Sequence, residues 1–260
     1  MNDPLIYLHI PKTGGTTVRS IMERLYEGSA LFTVYDDSPS HNSMTDLDSL
    51  SAEARKSIQI YCGHVSYGFH QPAGVKPNYT ALLRHPVDRV LSFYHHTMTY
   101  DSEWKDKPVS LVKFINSKNP QMNNHQTRIV SGMGAPFNQC PEEMLWKAIE
   151  NIEKEFLFVG VSELFDESLL VLSETVGWSD QFYIIENVSK GRPVAEYFSQ
   201  MEINVIKNHN QLDFLLYAYV KKKQLAQIAV KGPSFRDKLR NFRDQNKAAA
   251  KKLKAKTVWA

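Results

Sequence analysis

Three apolar runs in the first third of the chain each end on a polar group suited to chemistry: Lys12 after "LIYLHIP", His64 after "IQIYCG" and Arg84 after "YTALL". Lys12 opens "KTGGTT", and "VRSIMERLY" follows with helical spacing at Val18, Ile21, Met22 and Leu25. Strand, loop and helix in that order put backbone N–H groups and hydroxyls at a helix N-terminus, where the macrodipole and unpaired donors favour an anion. Lys12 adds a full positive charge. A Walker A loop, GxxxxGK[ST], carries its lysine after the glycines, whereas Lys12 precedes Gly14 and Gly15, and no apolar run ending in Asp offers a Walker B partner. An ordinary kinase or NTPase is therefore disfavoured.

Such groups act together only if a scaffold gathers them. Leu5, Ile6, Leu8 and Ile10 read as a buried strand, "IQIYCGHVSYGF" as a second strand ending in a loop, and "YTALLRHP" as a third, stopped at Pro86. Pro86 suits the first turn of a helix whose apolar face is Val87, Val90, Leu91 and Tyr94. Residues 33–57 read as a polar, turn-rich excursion able to line a substrate cleft. Later, "EEMLWKAIENIEKE" reads as a helix, "FLFVGV" as a buried strand, and "ESLLVLSETVGW" and "NQLDFLLYAYVKKKQLAQIAV" as helices. Alternation of this kind predicts an α/β, three-layer fold with a mostly parallel central sheet flanked by helices. Ligands bind beyond the carboxyl ends of such strands, where Lys12, His64 and Arg84 lie.

The 260 residues, 42% hydrophobic and 23% charged, suit one globular domain rather than two. We expect a single domain over 1–235 and a basic helical tail over 236–260. From Arg236 to Lys256 the tail carries nine Lys/Arg against Asp237 and Asp244, although the whole chain is only +3. It reads as a solvated helix, with a polyanion or membrane surface as the alternative. No apolar run approaches the about 18 residues of a membrane span, and no signal peptide is legible, so the chain reads as cytoplasmic. Cys62 and Cys140 read as reduced thiols.

"IPKTGGTT" resembles the 5′-phosphosulfate loop of sulfotransferases that use 3′-phosphoadenosine 5′-phosphosulfate (PAPS), and "LLRHPVDRVLSFYHH" resembles their 3′-phosphate segment, with Arg84 at a strand end and Ser92 in the next helix. "GHVSYG", "NNHQTRIVSG", "FLFVGVSELFDESLLVL" and "NVSKGRP" are similar to segments of the heparan and dermatan 2-O-sulfotransferase branch or related glycan sulfotransferases. The resemblance runs from about residue 5 to about residue 220. It implies a P-loop-like fold and transfer of a sulfuryl group from PAPS to a hydroxyl acceptor, most naturally a glycan, leaving 3′,5′-ADP. The animal Golgi enzymes carry an anchor and stem; the resemblance here is to a compact, soluble, bacterial-type member, with a Golgi lumen expected only if the chain is truncated.

In that reading Lys12 stabilises the leaving phosphate oxygen, and Thr13, Gly14, Gly15, Thr16 and Thr17 hold the 5′-phosphate. Arg84 and Ser92 hold the 3′-phosphate, and Lys190, Gly191 and Arg192 close over the nucleotide. An acceptor hydroxyl needs a base, and His64, proposed as general base for that branch, supplies a neutral imidazole. Asp36, Asp37 and His41 are runners-up, and His41 is also a substrate-binding candidate. Arg128 either binds an anionic acceptor or pairs with an acid inside the fold. Arg89 reads as structural and locally paired, His9 as core, and His85, His95 and His96 as packing or solvent-facing. Tyr94, Tyr100 and Trp104 read as core, with a sugar-stacking wall as the alternative. No metal is needed, no nucleic-acid partner is expected, and the 2-O branch allows a homo-oligomer. The competing readings are an atypical P-loop kinase or NTPase, and a non-catalytic module that binds nucleotide or polyanion.

Overall fold

The computed structural model describes residues 3–26, 28–35, 41–179, 182–183 and 195–257, with side chains in the last helix up to residue 249. Leu5–Leu8 forms β1, and Gly15–Leu25 forms α1. The polar stretch that follows is more ordered than its composition suggests: β2 (Leu31–Val34), α2 (Met44–Ser49) and α3 (Ala52–Ser57) lie within or beside it. Ser43 and Asp46 close a capping box on α2, and Ser51 caps α3. The excursion expected at 33–57 is therefore a sheet edge and two short capped helices.

Next come β3 (Ile60–Gly63), α4 (His70–Ala73), β4 (Tyr79–Leu83) and α5 (Pro86–Tyr100), with Pro86 opening α5 as expected. The chain continues through α6 (Leu111–Ile115), α7 (His125–Ser131), α8 (Glu143–Glu155), β5 (Phe156–Val161) and α9 (Phe165–Val176). It ends in α10 (Gln200–His209), α11 (Gln211–Val230) and α12 (Gly232–Thr257).

Among the described residues all five strands are parallel, in the order β2-β3-β1-β4-β5. The sheet has helices on both faces, which is why β1, β3 and β4 are buried at every position rather than at alternate ones. Leu5 and Tyr7 of β1 pack with α1, α9 and the apolar face of α12, whereas Ile6 and Leu8 pack with α7, α8 and α11. Side-chain alternation along one strand thus divides the core into two layers. A third cluster joins α5, α6 and α10, and it takes Tyr94 and Trp104. Tyr100 is exposed and pairs with the ring of His96 at 5.1 Å.

The tail helix starts before residue 236, and its first half is docked. Phe235 and Phe242 are buried, Lys238 meets Glu174 at 2.7 Å, and Arg243 spans Asp166 at 2.8 Å and Glu167 at 3.0 Å. No helix among the described residues is long and apolar enough to cross a membrane.

Candidate active site

Because β1 is the middle strand, its carboxyl end lies between those of β3 and β4, and the loop after it faces both. Lys12 adopts a left-handed conformation (φ 71°), which costs energy for a residue with a Cβ and turns the chain sharply after Pro11. Gly14 (φ 92°) precedes α1, and α1 has no side-chain cap, so its first turn offers main-chain donors. Thr13 is buried and its hydroxyl donates to the Ile10 carbonyl at 2.8 Å, so it shapes the loop from inside. Thr16 is exposed and Thr17 half-buried at the loop surface.

Arg84 borders this loop from the β4 side. Its Nη1 donates to the Lys12 carbonyl at 3.1 Å, and burial pulls the guanidinium pKa down while Asp88 and Glu163 oppose that shift. The Arg84 main chain is gripped by the Gln126 amide: Arg84 N–H donates to Oε1 and Gln126 Nε2 donates to the Arg84 carbonyl, both at 2.8 Å. Ser162, just past β5, donates from one hydroxyl toward the Thr13 carbonyl and the Leu83 carbonyl, the latter at 3.0 Å. Glu163 accepts from His85 N–H at 2.8 Å. Gln126, Ser162 and Glu163 thus brace the site, and all three are absent from the sequence-based candidates. The "QTR" segment did carry a signal, but it sits on Gln126 as well as on Arg128. Ser92 lies two turns into α5 and is buried.

His64 follows β3 on the other flank and is exposed. Gly63 lets the strands approach there, since a Cβ would stand 2.1 Å from the Val34 carbonyl oxygen; His64 N–H donates to that carbonyl at 3.0 Å. The close approach brings Tyr35 under His64, with ring centroids 4.6 Å apart. His41 packs on the same phenol at 4.8 Å, and its Nε2 lies 3.1 Å from Arg19 Nη1. His9 is buried, as a core residue should be, yet it also touches the site: its ring centroid is 5.0 Å from that of His64.

Other candidates fall elsewhere. Arg128 is buried and directs its guanidinium at the Asn123, Ala135 and Pro136 carbonyls and the Asn123 side chain, at 2.6–3.1 Å, which is the structural alternative of the two with amide oxygens where an acid was expected. Arg89 is wholly buried and donates to the Gln121 carbonyl; burial lowers its pKa to about 10, with Asp213 pulling the other way. Asp36, Asp37, Lys190, Gly191 and Arg192 lie outside the described residues. Among the described residues no group of three or more His, Cys, Asp or Glu is disposed to hold a metal ion.

A parallel α/β sheet whose central strand opens into a glycine-turned loop, bearing a lysine and bordered by a braced arginine, places the protein in the α/β class and gives it a loop suited to an anion. Comparison with known families narrows this further. The family described as galactose-3-O-sulfotransferase matches residues 2–256, and the chain belongs to that family. It is 25% identical over 189 residues to human galactose-3-O-sulfotransferase 2, covering 67% of this chain and 47% of the relative. The pig protein of the same name is 28% identical over 133 residues, 46% of this chain and 33% of that protein. The chain thus spans about half or less of the curated relatives it matches.

These matches correct two expectations. The affinity is to the galactose-3-O branch of the carbohydrate sulfotransferases and not to the heparan and dermatan 2-O branch. The cytoplasmic, bacterial-type assignment is likewise overturned: the relatives are animal galactose-3-O-sulfotransferases, the kind of enzyme from which that assignment set the chain apart.

Proposed function

We propose that the chain is a PAPS-dependent O-sulfotransferase acting on a glycan, with the 3-hydroxyl of a galactose residue as the acceptor. The observation that carries the reading is the meeting of strand ends, where Arg84 Nη1 bonds the Lys12 carbonyl at 3.1 Å and two cationic side chains border one loop. The residues suit the donor. Main-chain donors at the start of α1 suit a 5′-phosphosulfate, and a planar guanidinium at the far side of the loop suits a 3′-phosphate. That second anion separates PAPS from ATP.

PAPS supplies an activated sulfuryl group on a phosphate that leaves readily. Everything else falls to this chain. Lys12 and the Thr16 and Thr17 side of the loop hold the 5′ end, Arg84 and Ser92 hold the 3′ end, and Lys190, Gly191 and Arg192 cover the nucleotide. His64 takes the proton of the acceptor hydroxyl as its oxygen bonds to sulfur. The S–O bond to the phosphate breaks in line, its electron pair stays on the phosphate oxygen, and Lys12 meets that new charge.

The test begins with magnesium-free calorimetry of 3′,5′-ADP against ATP, followed by turnover of PAPS with a β-galactoside and with its 3-O-methyl derivative. Preference for 3′,5′-ADP and sulfation of only the free 3-hydroxyl are expected. Equal affinity for ATP overturns the donor assignment, and sulfation of the blocked sugar overturns the acceptor position.

A further inference from the structure

His9 has no role in the mechanism above, yet the two halves of the site meet on its ring. On one side its Cδ2 and Nε2 edge fills the space where a side chain on Gly15 would begin: a Cβ there would stand 2.0 Å from Cδ2 and 2.4 Å from Nε2. Gly15 is the first residue of α1, so the imidazole lies directly against the start of the helix that ends the anion loop. On the other side the His9 and His64 rings are 5.0 Å apart at 59°. Nδ1 is 2.5 Å from the hydroxyl of Tyr35, whose ring stands edge-on to both histidines at 83° and 77°. Main-chain bonding fixes the backbone too, since His9 N–H donates to the Gly63 carbonyl at 2.9 Å.

The protons follow from the surroundings. Burial, with His64, Arg19 and Lys12, pushes His9 down to about 3, so the ring is neutral and has one N–H. Burial also drives the Tyr35 phenol well above its ordinary value and lifts Cys62, 3.6 Å from the phenol oxygen, to about 12. Phenol and thiol therefore both keep their protons. A phenol is the stronger donor and imidazole nitrogen the stronger acceptor, so Tyr35 donates to Nδ1 and Cys62 S–H points to the phenol oxygen. The proton of His9 then sits on Nε2, at the edge facing Gly15.

We propose that His9 is a positioning residue: held by Tyr35 through Nδ1 and wedged against Gly15, its ring sets the spacing and tilt between the anion loop and the His64 imidazole. It rests on the sulfotransferase reading only for what His64 then does. A neutral group is needed in this place, because a cation 5 Å from His64 would oppose the proton His64 has to accept. Tyr7, Tyr35, Cys62, His64, Arg19 and Lys12 are the titratable groups around it, and Arg19 is itself drawn over the Tyr35 ring at 5.3 Å.

The test compares His9→Asn, whose side-chain oxygen can accept from Tyr35, with His9→Leu, which fills similar space without an acceptor, and with Tyr35→Phe. Two readouts are used: imidazole proton resonances of His64 in the donor-free protein, and the pH profile of kcat with PAPS and a β-galactoside. We expect the His64 resonances to move in His9→Leu, kcat to fall at least tenfold there and clearly less in His9→Asn, and the acidic limb of the profile to shift. Tyr35→Phe combined with His9→Leu should be no worse than His9→Leu alone. Unmoved resonances with an unchanged pH profile overturn the proposal, as do equal losses in the Asn and Leu variants that merely follow their melting temperatures. Displaced His64 resonances in a protein whose wild type does not turn over PAPS support the positioning role and fault the functional reading instead.

Discussion

Arg84 and Gly15 are the single residues on which the proposed donor site depends most directly. Arg84→Ala removes a guanidinium and its bond to the Lys12 carbonyl. A charge-assisted contact of this kind is worth about 1.5–3 kcal/mol, so affinity for 3′,5′-ADP should fall roughly ten- to hundredfold in calorimetry while ATP binding changes little. Gly15→Ala adds one carbon where there is no room. The obstructing His9 ring is buried and tied to Tyr35, so it cannot swing aside as an exposed side chain would. Overpacking of this sort costs about 1–3 kcal/mol, and we expect a lowered melting temperature together with weakened 3′,5′-ADP binding.

Elements carry the next level of control, and α7 shows it best. Gln126, wholly buried in that helix, satisfies both main-chain groups of Arg84 at 2.8 Å. Asp213 of α11 in turn accepts from the Gln126 and Thr127 N–H groups at 3.2 and 2.8 Å, so α11 seats α7 and α7 seats Arg84. In Gln126→Ala the Arg84 N–H and carbonyl lose these partners. About 1–3 kcal/mol of stability should be lost by chemical denaturation, with 3′,5′-ADP affinity reduced although no nucleotide-facing cation has changed. This brace was not legible in the sequence because 42 residues separate the partners and a glutamine has no fixed signature. The strands were legible where they are apolar throughout, as in "FLFVGV". Edge strand β2 was not: only Phe32 and Val34 of its four residues are buried, and polar sequence follows at once. Lys12, Arg84 and His64 could be singled out as candidates because each stands at a strand end, whereas His9 and Tyr35 matter only through a contact made in three dimensions.

At the scale of the molecule, ion pairs fasten the last helix to α9. Burial pushes the Glu174 carboxyl up, but hydrogen bonds from Lys231 and Lys238 outweigh it and hold its pKa below the ordinary value. A carboxylate held low in the folded state stabilises the fold above its unfolded pKa, and that contribution is lost as pH falls through the folded value. Thermal stability should therefore fall as pH drops below about 4, and Glu174→Gln should remove part of that fall while lowering stability at neutral pH. The order of parts along the chain has a consequence of another kind. The loop after β1 is made by residue 17, yet the groups that hold its shape come from Arg84, Gln126 and Ser162, the last reaching back 149 positions to Thr13. Strand β2 cannot even join the sheet until β3 arrives to stand between it and β1. On the ribosome, then, the loop that would grip the donor is made well before the groups that fix its form, so a nascent chain cannot hold nucleotide there until Ser162 has emerged.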